Sequence, residues 1–332
     1  MSMEPSPRAR ISAFNLYGPS PSPLLPLRRS PMANGSRPIQ SRLHFVMRES
    51  GPSRTAIGVA IHRAAHQTLD HPPVFVDPFA ERVLGSKARA KMESGKIEKT
   101  IFASMLRAFL AIRSRVAEDT LAEAMQAGVR QYVVLGAGLD TFGLRNADPS
   151  LQVFEVDHPN TQTWKRQRIE EEGLPVRATL HFVTVDFTRQ EIETELLKAG
   201  LDPAKPTFFS WLGVVQYLEP AAIRATLAKA AKLSGPSGGI VFDFLTPPGR
   251  WQLLVRLILW SRGRRVARLG EPFKPPVPQE EMRRWLVEAG FDQVELLTPA
   301  ALTGRYLSGR NDALRLGPLN WIAVARKAGR RS

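Results

Sequence analysis

The 332-residue sequence contains no cysteine, which excludes several kinds of site at once. Disulfide bonds, thiolate catalysis and zinc sites built on cysteine all require that residue. The sequence also lacks an apolar run of about 18 residues, which a membrane-spanning helix needs. With 43% hydrophobic residues the chain can form an ordinary folded core. We therefore expect a globular protein, and we expect it in the cytoplasm.

Acidic residues are scarce at both ends of the chain, and this accounts for much of the formal net charge of +15. Residues 1–50 contain seven arginines and two acids, and the last seven residues contain four basic residues and no acid. A basic terminal segment is usually a solvated tail. We therefore expect no specific nucleic-acid partner, and a basic nucleic-acid-binding protein stays as an alternative.

Residues 1–46 differ in composition from the rest of the chain. Eight prolines fall within residues 1–40, where no helical or strand period is sustained. We expect residues 1–46 to form a disordered leader or to lie upstream of a natural start at Met47. Residues 47–130 then form an N-terminal helical cap region, and residues 131–332 form an α/β core.

A basic apolar segment interrupts the predicted core. Residues 250–268 mix apolar side chains with six arginines and no acid. Such a segment can form a helix that lies on a membrane surface. We favour a lid over an apolar substrate pocket, inserted near 248–275, because the alternation of strands and helices is broken there.

The hydrophobic pattern of the core alternates between strands and helices. Short apolar runs predict buried strands, and these lie at 132–135, 153–156, 178–184, 207–212, 239–245, 291–297 and 319–326. The last two predict a hairpin at the sheet edge. Helical periods in the cap region cover 53–69, 79–84 and 101–125. Seven strands with helices between them indicate an α/β sandwich.

A glycine turn organises this core. The first apolar run ends at Gly136-Ala-Gly138, where missing β-carbons let the backbone turn tightly and let a ligand approach it. The next strand ends at Asp157, 21 residues after Gly136. In doubly wound sheets an acidic side chain at this place accepts the ribose hydroxyls of a nucleotide. These residues predict a site for an adenosine-bearing cofactor; the alternative is a structural turn without a ligand.

The residues after the turn favour one cofactor over another. A dinucleotide fingerprint has a third glycine where this sequence has Thr141, preceded by Asp140. A carboxylate at the mouth of the turn repels a pyrophosphate but suits a cationic sulfonium. Asp140 therefore favours S-adenosylmethionine (SAM) over NAD(P), and an NAD(P)-dependent oxidoreductase stays as an alternative.

Two further strand ends carry candidate site residues. Asp186 and Phe187 follow the third strand, where one can bind the amino group of an adenine and the other its ring face. The alternative is that Asp186 caps a helix beginning near Thr188. The fourth strand leads into a segment that faces the transferred group in an open α/β sheet. In that segment Tyr217 and Gln216 are the polar candidates.

Two histidines one helical turn apart, His62 and His66, have a spacing that can hold a metal ion. No glutamate of the metalloprotease type lies between them, and no second histidine cluster supports them. We therefore favour a polar helix face and predict no metal site.

The motifs, in their order along the chain, resemble one family. They are residues 134–141 (Val-Leu-Gly-Ala-Gly-Leu-Asp-Thr), 155–159 (Glu-Val-Asp-His-Pro) with Lys165, 211–218 (Trp-Leu-Gly-Val-Val-Gln-Tyr-Leu), Asp77-Pro78, Arg113-Ser-Arg115 and 305–310. Over residues 53–326 the sequence resembles the leucine carboxyl methyltransferase family. It is more similar to a bacterial branch of SAM-dependent methyltransferases that includes polyketide carboxyl O-methyltransferases.

The resemblance implies a class I SAM-methyltransferase fold. This is a doubly wound, seven-stranded α/β sheet with an antiparallel last strand, here with an N-terminal helical cap and a lid insertion. The resemblance also implies that Arg113 holds the methionine carboxylate of SAM and that Gly136 forms the cofactor turn. Asp157 would bind the ribose, and Asp186 with Phe187 the adenine.

The predicted reaction is transfer of the SAM methyl group to an oxygen of a small molecule, and a basic RNA-binding methyltransferase is the alternative. A carboxylate acceptor needs no general base at neutral pH, whereas a hydroxyl does, and Tyr217 is the candidate. Arg310 is the second catalytic candidate, because a guanidinium can hold a carboxylate through two parallel hydrogen bonds. The alternative is that Arg305 and Arg310 are surface charges on a loop. At Leu212 many members of the family carry Glu, so one polar contact of the family pattern is missing.

Overall fold

Residues 54–93, 100–186, 189–248, 273–312 and 314–329 are described by the computed structural model. The predicted leader, Phe187, the basic segment 250–268 and nearly all of the predicted lid lie outside these residues. None of the helices within the described ranges is long and apolar enough to cross a membrane.

In the part of the chain that the structure describes, three helices precede the sheet: α1 (Arg54–Leu69), α2 (Ser86–Glu93) and α3 (Ile101–Gln126). The side-chain oxygen of Thr100 accepts from the backbone amide of Ala103 and so caps α3. The predicted helix at 79–84 is wrong, since these residues form turns. The Asp77 carboxylate accepts from the backbone amide of Phe79 at 3.1 Å, a local bond that competes with helix formation.

Seven strands form one sheet in the order β3-β2-β1-β4-β5-β7-β6. They are β1 (Gln131–Leu135), β2 (Gln152–Asp157), β3 (Leu180–Thr184), β4 (Thr207–Trp211), β5 (Gly239–Leu245), β6 (Gln293–Leu297) and β7 (Asn320–Arg326). The pairs among β1 to β5 are parallel, and β7 pairs antiparallel with both β5 and β6. The predicted α/β sheet with an antiparallel last strand is confirmed.

Within the described ranges, six helices connect or follow these strands. They are α4 (Phe142–Arg145), α5 (Pro159–Glu171), α6 (Ile192–Lys198), α7 (Pro220–Ser234), α8 (Gln279–Glu288) and α9 (Pro299–Tyr306), and a short 3₁₀ turn covers Val215–Tyr217. The sequence did not predict α9, which lies between β6 and β7. Proline at its first position and a Thr298 hydroxyl that accepts from Ala301 start this helix. Arg305 and Tyr306 are therefore helical residues.

The core lies on both faces of the sheet because side chains alternate along each strand. Tyr132 and Val134 of β1 belong to the apolar cluster that includes α1 and α3. Val133 and Leu135 belong to the cluster that includes α6, α7 and α8. The order of strands reverses between β1 and β4, which creates a crevice at their carboxyl ends.

Candidate functional site

A cavity opens at the point where the strand order reverses. It is lined by the residues after β1 and β4, by the end of β2, and by residues of α1 and α3. These elements contribute Gly136, Gly213, Asp157, Arg63 and Arg113. The cavity thus lies at the strand ends where the sequence predicts an adenosine-bearing cofactor.

The turn after β1 requires glycine at position 136. The backbone φ angle is +67° at Gly136 and +50° at Gly138. Both values lie in the left-handed region, which residues with a β-carbon disfavour. A β-carbon on Gly136 would lie 2.6 Å from Val214 Cγ2, which is too close. The Gly136 amide donates to the Val156 carbonyl at 2.8 Å and ties the turn to the end of β2.

Asp157 ends β2 beside this turn. Its carboxylate accepts from the backbone amides of Gly138 at 2.5 Å and His158 at 2.6 Å. Burial raises the pKa of Asp157 above its ordinary value of 3.8, against the opposing effect of these two bonds. A carboxylate offers about four acceptor positions, so capacity remains for ribose hydroxyls. The ribose contact itself stays a prediction.

Arg113 reaches the cavity from α3. Its Nη1 donates to Asp243 Oδ2 at 3.3 Å, and Asp243 Oδ1 accepts from the backbone amide of Gly213 at 2.6 Å. Asp243 on β5 therefore holds both the arginine and the backbone after β4. A guanidinium has five donors, so the bond to Asp243 leaves donors for a ligand carboxylate. The position agrees with the role that the family resemblance assigns to Arg113.

Asp140 lines the cavity, but its charge is not free to act on a ligand alone. Its Oδ2 accepts from Arg63 Nη1 at 3.2 Å, and its Oδ1 accepts from the Phe142 amide at 2.7 Å. Burial works to raise the pKa of Asp140, but Arg63, Lys165 and Arg145 hold this pKa below its ordinary value. The electrostatic reason for preferring a sulfonium is therefore weaker than the sequence suggested.

Thr141, in the place of the third glycine, is fully buried in a polar network. Its hydroxyl donates to Asp77 Oδ2 at 2.7 Å and accepts from Arg63 Nη2 at 2.8 Å and Arg145 Nε at 3.1 Å. Arg145 in turn pairs with Glu118. Sequence reasoning missed Arg63 altogether and quoted Asp77 only as part of a motif. The one available signal was a charged residue within the apolar pattern of α1.

The close helix–strand approach that a third glycine allows occurs two residues later, at Gly143. A β-carbon there would lie 2.5 Å from Leu180 Cδ1 and 3.0 Å from Glu155 Oε1. The start of α4 therefore packs tightly on β2 and β3. This is the packing role that the dinucleotide pattern gives to its last glycine.

Behind the turn lies a buried ion pair between β2 and α5. Lys165 Nζ is 2.5 Å from Glu155 Oε2, and each side chain is 1% exposed. Glu155 Oε1 finds no hydrogen-bond partner among the described residues. Burial raises the pKa of Glu155, and Lys165 opposes this. The same lysine works to lower the pKa values of Asp140 and Asp157, so it supports the charges around the turn.

The segment after β4 supplies the far wall of the cavity. Tyr217 and Leu212 both line it. The Tyr217 ring centroid lies 5.3 Å from that of Phe273, and the Gln216 carbonyl accepts from the backbone amide of Lys274. Tyr217 thus lies in the wall of the cavity, and its catalytic role stays a prediction.

Arg310 lies elsewhere. It lines a second, surface cavity together with Arg305. Its Nε and Nη2 donate to the two carboxylate oxygens of Asp312, and its Nη1 donates to the Pro72 carbonyl at 2.6 Å. All three nitrogens of the Arg310 guanidinium are therefore already engaged within the protein. The geometry gives no support to a contact between Arg310 and a methyl acceptor. Arg310 is not an exposed loop charge either, since only 8% of its side chain is exposed.

The predicted adenine pair is described only in part, because Phe187 lies outside the described residues. The Asp186 carbonyl accepts from the backbone amide of Arg189 at 2.9 Å. The helix predicted to follow this strand is α6, which begins at Ile192, so Asp186 does not cap it directly. Ile192 lines the cavity. The contact of Asp186 with an adenine stays a prediction.

A histidine of α1 serves the packing of the cap region. His66 Nδ1 lies 2.8 Å from Asp70 Oδ2, and its Nε2 accepts from the Val74 amide at 3.0 Å. Both ring nitrogens are thus used within the protein. The described part of the chain holds no group of three or more His, Cys, Asp or Glu residues that could bind a metal ion.

Sequence comparison connects this site to known proteins. A sequence profile described as leucine carboxyl methyltransferase matches residues 56–231. The chain belongs to the leucine carboxyl methyltransferase family. A Bacillus subtilis relative, "Putative S-adenosyl-L-methionine-dependent methyltransferase YktD", is 30% identical over 296 residues, which cover 81% of this chain and 95% of the relative. A Saccharopolyspora erythraea member with the name "Putative S-adenosyl-L-methionine-dependent methyltransferase" is 33% identical over 196 residues, which cover 58% of this chain and 68% of the relative.

A solved structure has a similar fold. A "putative methyltransferase" from Thermobifida fusca superposes with a TM-score of 0.50 at 17% identity, covering 85% of this chain and 97% of the other. The family and the fold predicted from sequence are thereby confirmed. Membership of the leucine carboxyl methyltransferase family also favours the methyltransferase prediction over the oxidoreductase alternative.

Proposed function

We propose that this member of the leucine carboxyl methyltransferase family, a SAM-dependent methyltransferase, methylates a carboxylate or hydroxyl oxygen of a small molecule. The observation that carries the proposal is the cavity in which the Gly136 turn and the Asp157 carboxylate lie side by side. In open α/β sheets this crevice receives the nucleotide. The names of the relatives support SAM as the cofactor.

In the proposed site, Arg113 binds the methionine carboxylate and Asp157 accepts from the ribose hydroxyls. SAM, when bound, supplies an activated methyl group on a cationic sulfonium. The remaining work of the protein is alignment and exclusion of water. Apolar residues of the lining, among them Val59, Leu110 and Val214, keep the cavity dry.

The acceptor decides whether a base is needed. A carboxylate oxygen attacks the methyl carbon directly, the carbon–sulfur bond breaks, and its electron pair stays on sulfur in S-adenosylhomocysteine. A hydroxyl must also lose its proton, and Tyr217 is the polar residue of the lining that we assign to this step. A screen of carboxylic acids and phenols with methyl-labelled SAM tests the proposal. Ester or ether products support it, and methylation at nitrogen or carbon alone contradicts it.

Replacing Asp157 by alanine should weaken SAM binding by about 1–3 kcal/mol, because the ribose hydroxyls lose a charged acceptor. Calorimetric titration of the folded variant measures this. Asp148→Ala is a matched control, since Asp148 also accepts from a backbone amide, that of Ser150 at 2.8 Å, but does not line the cavity. Unchanged affinity in Asp157→Ala would remove this residue from the site.

Cofactor affinity should also depend on pH through Asp157. Because its pKa is raised above 3.8, lowering the pH protonates Asp157 earlier than an ordinary aspartate. The neutral acid is a weaker acceptor, so affinity should fall as the pH drops through this raised pKa. Asp140 has a lowered pKa and stays charged over the same range. Titrations at several pH values should show the fall in the unaltered protein, and Asp157→Asn should abolish it.

A further inference from the structure

One guanidinium contacts three consecutive residues of the cofactor turn. Arg63 Nη1 donates to Asp140 Oδ2 at 3.2 Å, and Nη2 donates to the Leu139 carbonyl at 3.4 Å and to Thr141 Oγ1 at 2.8 Å. Nη2 also lies 2.8 Å from Asp77 Oδ2. The arginine therefore joins the backbone and side chains that follow Gly138 to a carboxylate of the cap region.

The same arginine belongs to the wall of the cavity. Ala56, Val59, Ala60 and Arg63 lie at helical spacing on α1, and all four line the cavity. A β-carbon on Gly138 would lie 3.5 Å from Ala56 Cβ, so α1 is in direct contact with the turn. Arg63 thus holds the helix that covers the cavity to the turn that forms its other side.

Only an arginine can make this set of contacts. Its planar fork reaches two carboxylates and a hydroxyl at once, whereas an ammonium is a single point of charge. Burial works against the charged form, but Asp77 and Asp140 outweigh it and the pKa of Arg63 is raised, so the cation is secure. The guanidinium of Arg63 therefore stays charged over the physiological pH range.

We propose that Arg63 is a positioning residue of the cofactor site, which fixes residues 139–141 and α1 in the arrangement that binds SAM. This inference rests on the proposed function, because it assumes that the cofactor occupies the cavity. A turn that is held before binding loses less conformational freedom when the ligand arrives. Removing the fork should therefore lower affinity for the cofactor even where the fold survives.

The test compares substitutions of two equally buried arginines, each made in the full-length protein. Arg63 and Arg107 are each 6% exposed. Arg107 donates to both oxygens of Asp70 at 2.9 and 3.1 Å, but it does not line the cavity. Binding of SAM and of S-adenosylhomocysteine is measured by calorimetry for Arg63→Lys and Arg107→Lys, together with melting temperatures.

We expect both variants to have a lower melting temperature than the unaltered protein. Only Arg63→Lys should bind each ligand about tenfold more weakly, because it loses hydrogen bonds between charged groups at the turn. Asp140→Asn gives a second route should Arg63→Lys fail to fold. It removes one charged partner while Arg63 keeps Asp77 and Thr141, and we expect it to weaken binding as well. In the double variant the two losses should be less than additive, because both changes break the same contact.

Equal affinity in the unaltered protein, Arg63→Lys and Asp140→Asn would overturn the inference, as would an equal loss of affinity in Arg107→Lys. Failure of the proposed function has a different signature. If the unaltered protein binds neither ligand, the function and the inference fall together. If Asp157→Ala weakens binding and Arg63→Lys does not, only the inference about Arg63 falls.

Discussion

We expect that replacing Gly136 by valine abolishes SAM binding. A β-branched residue at φ +67 is strained by about 1–3 kcal/mol, and its β-carbon would lie 2.6 Å from Val214 Cγ2. Both residues line the cavity, so relaxation of this contact moves atoms into the space that the cofactor needs. Calorimetric titration with SAM should show no binding heat for Gly136→Val, once its circular dichroism spectrum has shown that the variant is folded.

The control variant Gly173→Val has the backbone strain of a positive φ angle but lacks the steric contact that a β-carbon at position 136 makes with Val214. Gly173 has φ +56, but a β-carbon there meets nothing within 4 Å among the described neighbours. This variant should lose stability and keep its affinity for SAM. A further pair, Gly136→Ala alone and with Val214→Ala, tests the contact itself, because the smaller side chain at 214 should restore part of the binding. Normal SAM binding by Gly136→Val would mean that the turn serves the fold only.

Replacing Lys165 by methionine should lower the free energy of unfolding by about 3–5 kcal/mol, because it leaves the Glu155 carboxylate buried without its cation. Both side chains are 1% exposed, so water cannot take the place of the ammonium group. The free energy of unfolding from urea titration measures the loss. A carboxyl group whose pKa is raised on folding is penalised when it is ionised. The loss should therefore be largest at neutral pH and should shrink as the pH falls and Glu155 takes up a proton.

An exposed ion pair provides the control. Lys232 and Glu193 are 2.7 Å apart, with the lysine side chain 68% exposed. Lys232→Met should therefore cost no more than about 1 kcal/mol. The double variant Glu155→Leu with Lys165→Met should recover most of the stability, since replacing both charges removes the unpaired one. A loss in Lys165→Met no larger than that in Lys232→Met would show that the buried pair is not what stabilises β2 against α5.

The strands and the turn were predictable because their signals are local. The runs that form β1, β2, β4 and β5 are short and mainly apolar, and a glycine pair directly after such a run is typical of a cofactor turn. The segment 79–84 was mispredicted as a helix because its turn depends on the carboxylate of Asp77, which sequence periodicity does not register. Helix α9 was missed because glycine-containing sequence near Arg305 looked like a loop.

The partners of the charged residues were not predictable. Arg113 pairs with Asp243, 130 residues away, and Arg63 contacts Thr141, 78 residues away. Asp140 was interpreted as a carboxylate that acts on the ligand, because its hydrogen-bond partner Arg63 lies 77 residues away in the chain. Arg310 was a candidate for holding the acceptor, with a surface charge as the alternative, and its contacts with Asp312 and Pro72 could not be read from the sequence.

By itself, then, the sequence of this protein indicated the family through the resemblance of its ordered motifs. It also determined the sheet and the strand ends at which the cavity lies, because hydrophobic period and glycine turns act over a few residues. Only the tertiary structure decided which charges meet at that cavity. A buried charge must be paired, and the identity of its partner depends on how distant segments pack. That is why Gly136 and Asp157 could be singled out from the chain alone, while Arg63 emerged only when α1 was seen against the turn.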